Sequence, residues 1–109
     1  MASEVLKLAT FRGDAASVQA LLTVTAGHTY TVLSVTICET GNAADTFNLY
    51  IDDNDGGTDH YIYFAQALGA KETFEHTTKF VIEGTDMLGF ATDNSADVDV
   101  VVSYLDQTL

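Results

Sequence analysis

The densest cluster of oxygen donors in this chain is Asp52-Asp53-Asn54-Asp55-Gly56-Gly57-Thr58-Asp59. Hard cations such as calcium take several oxygens from a flexible loop, so Asp52, Asp53, Asp55 and Asp59 are the candidate ligands. The spacing departs from an EF-hand loop. Asp53 and Asp55 sit two apart, Gly57 falls where a third oxygen ligand is needed, and no Glu closes the loop. A solvated turn is the plainer reading of the run. His28, His60 and His76 lie far apart in sequence with no ligand spacing between them, and a single cysteine is too few for a cysteine-based zinc site. No resident metal or cofactor is expected.

Nucleophilic chemistry finds equally little to build on. Cys38 falls near the end of an alternating strand pattern with no basic neighbour to hold it as a thiolate, so a packed thiol is expected. Ser, His and acidic residues all occur, but without the G-x-S-x-G strand-to-helix elbow that presents a serine nucleophile. Arg12-Gly13-Asp14 spells an integrin-type tripeptide, and a simple turn is the better reading. Tyr30, Tyr50, Tyr61 and Tyr63 form a further set. Aromatic faces suit both sugar rings and subunit interfaces, and burial in a core or a subunit contact is favoured over a carbohydrate platform. A non-enzymatic protein is expected.

These side chains ride on a chain of 109 residues, the size of one domain spanning residues 1–109. Apolar residues make up 47%, enough for a core, and no run is long enough to suggest a membrane span. Sixteen acidic against four basic residues give a formal charge of −12, which repels a phosphate backbone or an anionic membrane and excludes both as preferred partners. Met1-Ala2-Ser3-Glu4 has neither the basic nor the apolar region of a signal peptide, so synthesis in a cytoplasm is expected.

Short runs of Val, Ile, Thr, Tyr and Phe, separated by Gly, Asn, Asp and Ser, spell strands and turns. The pattern predicts eight or nine strands. The first covers residues 5–11, within a segment 1–12 that is either an N-terminal strand or an arm. The second covers residues 17–25, with a short helix over 15–22, capped by Asp14, as the alternative. Leu33, Val35 and Ile37 share one face of a strand over 29–39; Phe47, Leu49 and Ile51 share a face of the next. Further strands fall at 60–64, 72–76, 78–82 and 87–91, and Val98, Val100, Val102 and Tyr104 line one face of the last. This predicts an all-β, single-domain antiparallel β-sandwich, jelly-roll-like, with about eight strands. The chain has no proline to protect its edge strands. Charges such as Lys7, Lys79, Asp97 and Asp99 must blunt them, or a neighbouring subunit must cover them.

Four stretches carry a resemblance. Thr23-Val24-Thr25-Ala26-Gly27 matches a T-V-x-A-G turn, the strand through Cys38 ends in a cysteine turn, and Ala44-Asp45-Thr46-Phe47-Asn48-Leu49 matches an A-D-T-F-x-L strand. With Glu83-Gly84-Thr85-Asp86-Met87-Leu88 before the last hairpin, the chain resembles small β-sandwich structural proteins of tailed bacteriophages, of the capsid cement and decoration kind. Glu39 stands where that pattern has Asn, and Thr25 where it often has proline. The resemblance implies a virion protein on the outer capsid surface that binds and stabilises the shell of the major capsid protein. It also implies self-association, with a homotrimer expected because ring closure hides strand edges. A tail or neck fibre component, or a carbohydrate- or receptor-binding module, is the alternative.

Overall fold

The computed structural model describes residues 3–54 and 56–108; Met1, Ala2, Asp55 and Leu109 lie outside that description. Nine strands are formed: β1 (Ser3–Asp14), β2 (Gln19–Thr23), β3 (His28–Glu39), β4 (Asp45–Asp52), β5 (Asp59–Leu68), β6 (Thr73–His76), β7 (Phe80–Glu83), β8 (Met87–Thr92) and β9 (Asp97–Thr108). One sheet runs β1-β9-β3, and β6 and β7 both pair with β3 on its far side; the other runs β2-β8-β4-β5. This is the order of an eight-stranded jelly roll, with β6 and β7 sharing one strand position. The sandwich is elongated, 47 × 26 × 21 Å.

Alternation along the strands sets the core. Val98, Val100 and Val102 of β9 face Phe47 and Leu49 of β4 and Leu88 and Phe90 of β8, all essentially without solvent contact. Burying each such side chain contributes roughly 1.5–3 kcal/mol. Phe47 sits at the centre, its ring centroid 5.1 Å from Phe74, 5.8 Å from Phe90 and 6.1 Å from Tyr63.

Two sequence expectations need correction, on Leu33 and on the Arg12-Gly13-Asp14 turn, and at residues 15–22 the strand reading stands over its helical alternative. Leu33 does not share the buried face of Val35 and Ile37. The ladder between β3 and β9 slips between Val32 and Ser34, so an extra residue sits at position 33 and the inward series runs Tyr30, Val32, then Val35 and Ile37. No helix forms over 15–22. Asp14 does cap a backbone N–H, that of Ala16 at 2.8 Å, but in a turn that leads into β2. Arg12-Gly13-Asp14 is not a turn either: β1 continues through it, opposite Asp99, Val98 and Asp97 of β9. Residues 3–12 are therefore paired strand rather than a free arm.

Candidate interaction surfaces

The acidic loop joins β4 to β5, and the Asp52 carboxylate and the Asp53 carbonyl are engaged by the loop's own backbone. Asp52 Oδ1 accepts the Gly56 N–H at 2.9 Å, and the Asp53 carbonyl accepts that of Gly57 at 2.9 Å. A Cβ on Gly57 would lie 2.2 Å from that carbonyl oxygen, so the tight turn requires glycine there. Asn54 N–H donates to Asp86 Oδ1 at 3.1 Å, which fastens the loop to the turn between β7 and β8. Asp59 stands opposite Asp52 at the base of the hairpin. Among the described residues, no three His, Cys, Asp or Glu side chains converge to hold a metal ion, and Asp55 lies outside them.

The three histidines are separated. His28 Nδ1 lies 2.7 Å from Asp106 Oδ1, His76 Nδ1 lies 2.9 Å from the Tyr63 hydroxyl, and His60 is exposed on β5. Cys38 is half-buried on the face of β3 opposite Val35 and Ile37. Arg12 and Asp14 of the tripeptide are both engaged internally, Arg12 by a two-pronged contact with Asp99 at 2.8 and 3.0 Å.

Three buried carboxylates, Glu39, Asp45 and Asp106, organise the sandwich ends, a role that the sequence reading gave to none of them. Glu39, 1% exposed, accepts N–H groups from Gly41 at 2.8 Å, Lys71 at 2.9 Å and Ala43 at 3.2 Å, so it ties the β3–β4 turn to the β5–β6 turn. The Lys71 N–H, helped by those of the β3–β4 turn, holds its carboxyl below the usual range despite burial. Asp45 accepts from the Thr46, Asn94 and Ala96 backbone at 2.7, 3.0 and 3.3 Å. Asp106 lies between Lys7 Nζ at 2.8 Å and His28, and the Lys7 hydrogen bond, followed by that of His28, lowers its pKa. The period-two rule carried the signal: Glu39 has the parity of Val35 and Ile37, and Asp106 that of Val102 and Tyr104.

Two apolar surfaces remain. On the outer face of the β1-containing sheet, Leu6 and Leu8 are 72% and 63% exposed. Leu6 stands opposite Leu105, Leu8 opposite Ser103 and Thr10 opposite the exposed Val101. A shallow depression between Leu6, Leu8, Leu33 and Ser103 continues the strip. On the outer face of the other sheet, Tyr61 and Phe64 of β5 are exposed with ring centroids 4.9 Å apart, and Tyr50 lies 5.4 Å from Tyr61. The Tyr50 ring lies directly on Gly89, where a Cβ would come within 2.4 Å of Cζ. Burial, with the charges of Asp59 and Asp52 beside it, raises the Tyr50 pKa. The four tyrosines considered together in the sequence thus part company: Tyr50 and Tyr61 form this outer cluster, Tyr63 packs inward on Phe47 and Phe74, and Tyr30 packs on Tyr104.

No family model and no curated protein matches the chain. Solved structures share its fold. A chain of the acid-stable capsid of Helicobacter pylori bacteriophage KHP30 superposes with a TM-score of 0.62 at 18% identity, over 96% of this chain and 93% of that one. A chain of Bacillus endospore appendages, a family of disulfide-linked pili, gives 0.56 at 14% identity, over 99% and 88%. A chain of infectious bursal disease virus, Gx strain, gives 0.57 at 12% identity over 97% of this chain, which spans only 32% of that larger one. At these identities the shared property is the jelly-roll sandwich.

Proposed function

We propose that this chain is a structural protein of a phage virion that acts as a capsid cement or decoration subunit, binding the shell of the major capsid protein and stabilising it without chemistry. The observation that carries this reading is the near end-to-end match to a phage capsid chain of almost the same extent, which argues for a whole module of similar use. The buried carboxylates fit the same reading, since each is engaged by several donors of the chain's own and serves the scaffold.

The mechanism is linkage. A subunit that binds only the assembled shell adds its binding free energy to the stability of that shell, and copies joined to one another sum weak contacts into avidity. A homotrimer at local threefold axes is the arrangement anticipated from the sequence. The formal net charge of −12 disfavours non-specific association of unassembled copies.

The exposed Tyr61–Phe64 pair favours a second reading, a tail or neck fibre module that stacks on sugar rings. Cryo-electron microscopy of the particles separates the two. Sandwich density repeated on the capsid lattice, with shells that disrupt at lower temperature when the protein is absent, is the expected result. Density confined to the tail or neck would favour the fibre reading.

A further inference from the structure

We propose that the outer edge of β1 is a self-pairing strand, through which two copies of this chain join the β1-containing sheets into one continuous sheet about a twofold axis. The proposal concerns the free protein and does not rest on the virion reading.

The other sheet edges are short or irregular. β2 has five residues and a register slip between Ala20 and Leu22. The edge opposite β1 is split between two four-residue strands, β6 and β7. β5 has ten residues, but its ladder slips twice and Ala65 adopts φ 51°. Short, broken and bulged edges resist adding a further strand. β1 differs: its twelve residues pair with β9 without one slip, from Ser3 opposite Thr108 to Asp14 opposite Asp97. Gly13 adopts φ 128°, so the regular row of backbone donors and acceptors on the free side of β1 runs from Ser3 to Arg12, the span that the pairing uses. Lys7 does not guard that row, because its ammonium is bound to Asp106.

Charge selects the occupant. A second copy of a protein at −12 is repelled over most of its surface, yet the β1 strand itself sums to zero, with Glu4 and Asp14 against Lys7 and Arg12, two of the four basic residues in the chain; Arg12, though paired with Asp99, stays 85% exposed and open to a second carboxylate. Antiparallel self-pairing about a twofold axis must keep residues of like parity opposite one another, so the register is restricted. Centred on Lys7 it sets lysine against lysine; centred on Ala9 it sets Glu4 against Asp14. Centred on Leu8 it sets Glu4 against Arg12 twice, Leu6 against Thr10 and Leu8 against itself, joining the two apolar strips. We take the Leu8-centred register.

Directly opposed Cα atoms in an antiparallel pair lie about 4.5–5.5 Å apart, inside the range of about 4.4–6.8 Å that a disulfide spans. The test uses the full chain with Cys38→Ser as background. Leu8→Cys is expected to form a covalent dimer rapidly under mild oxidation, while Val81→Cys, equally exposed on the same sheet at its other edge, does not. In sedimentation equilibrium the parent chain is expected to dimerise, and Leu8→Lys, which puts two ammonium groups on the axis, to weaken that dimer by roughly a hundredfold. Leu8 is exposed, so both variants keep the fold, which circular dichroism checks. A monomer at all concentrations, equal cross-linking of the two cysteine variants, or an oligomer unaffected by Leu8→Lys would overturn the proposal.

Discussion

β1 and β5 are the two long edge strands of the sandwich, twelve and ten residues, and they are held by different forces. β1 is fastened by charge: Lys7 reaches Asp106 and Arg12 reaches Asp99, both across to β9. β5 is fastened by aromatic packing, Tyr63 on Phe47 and Phe74 within, Tyr61 on Tyr50 without. The backbone follows suit. Where β5 bulges, the N–H of Ala65 leaves the ladder and is satisfied by the side chain of Asn48 at 2.7 Å. The difference teaches that salt links between neighbouring strands leave a ladder regular, whereas fitting aromatic rings to both faces of β5 coincides with a bent edge that no further strand can copy.

That contrast can be broken from the β5 side first. Phe47→Ala removes the ring against which Tyr63 and Phe74 pack, and is expected to cost about 3–5 kcal/mol in denaturant unfolding. Amide exchange should accelerate in β5 and β6 well before β1. Gly89→Ala is expected to cost about 1–3 kcal/mol, because its methyl group must push the Tyr50 ring off the sheet. The Tyr50 hydroxyl should then ionise at lower pH in a spectrophotometric titration, since its burial is what raises its pKa. Asn48→Ala leaves the Ala65 N–H without its acceptor and is expected to cost about 1 kcal/mol, with local exchange confined to the bulge.

The smallest effect belongs to the β1 side and depends on pH. Asp106 and Asp99 titrate below their unfolded values in the native protein, through Lys7 with His28 and through Arg12 respectively. Their contribution is therefore complete above about pH 4, the unfolded carboxylate range, and is lost as pH falls through the native values. Acidification below that point should loosen β1 against β9 in amide exchange and, through Glu39, the β3–β4 and β5–β6 turns, while the middle of β5 stays protected. Arg12→Gln should remove the Asp99 share of this dependence and leave that of Asp106.

Much of the sandwich was legible in the sequence because alternation is a local property. Phe47 and Leu49, Leu88 and Phe90, and Val98, Val100 and Val102 all lie where the period of two puts them. Leu33 escaped because a bulge changes the phase of a strand without changing its composition, and nothing in a run of Thr, Val and Ser marks the extra residue. Glu39, Asp45 and Asp106 escaped for another reason. Their parity was visible, but the donors that make burial tolerable come from Lys71, Asn94 and Lys7, distant in the chain. The Tyr61–Phe64 surface was half legible: the aromatic strand announced itself, while the sorting of Tyr61 outward and Tyr63 inward depends on the slips in β5. The even ladder of β1 shows only against β9.

The chain has five tyrosines and no tryptophan, so tyrosine dominates its near-ultraviolet absorbance and fluorescence. Tyr30 and Tyr104 form a pair in the sheet of β1, with centroids 4.9 Å apart, and Tyr50 and Tyr61 form a pair in the sheet of β5. Each sheet thus carries its own optical probe. Substituting Tyr30 and Tyr104 with phenylalanine in one variant, and Tyr50, Tyr61 and the fifth tyrosine, Tyr63 of β5, in another, lets the melting of each layer be watched separately, by light alone, in a protein to which no label has been attached.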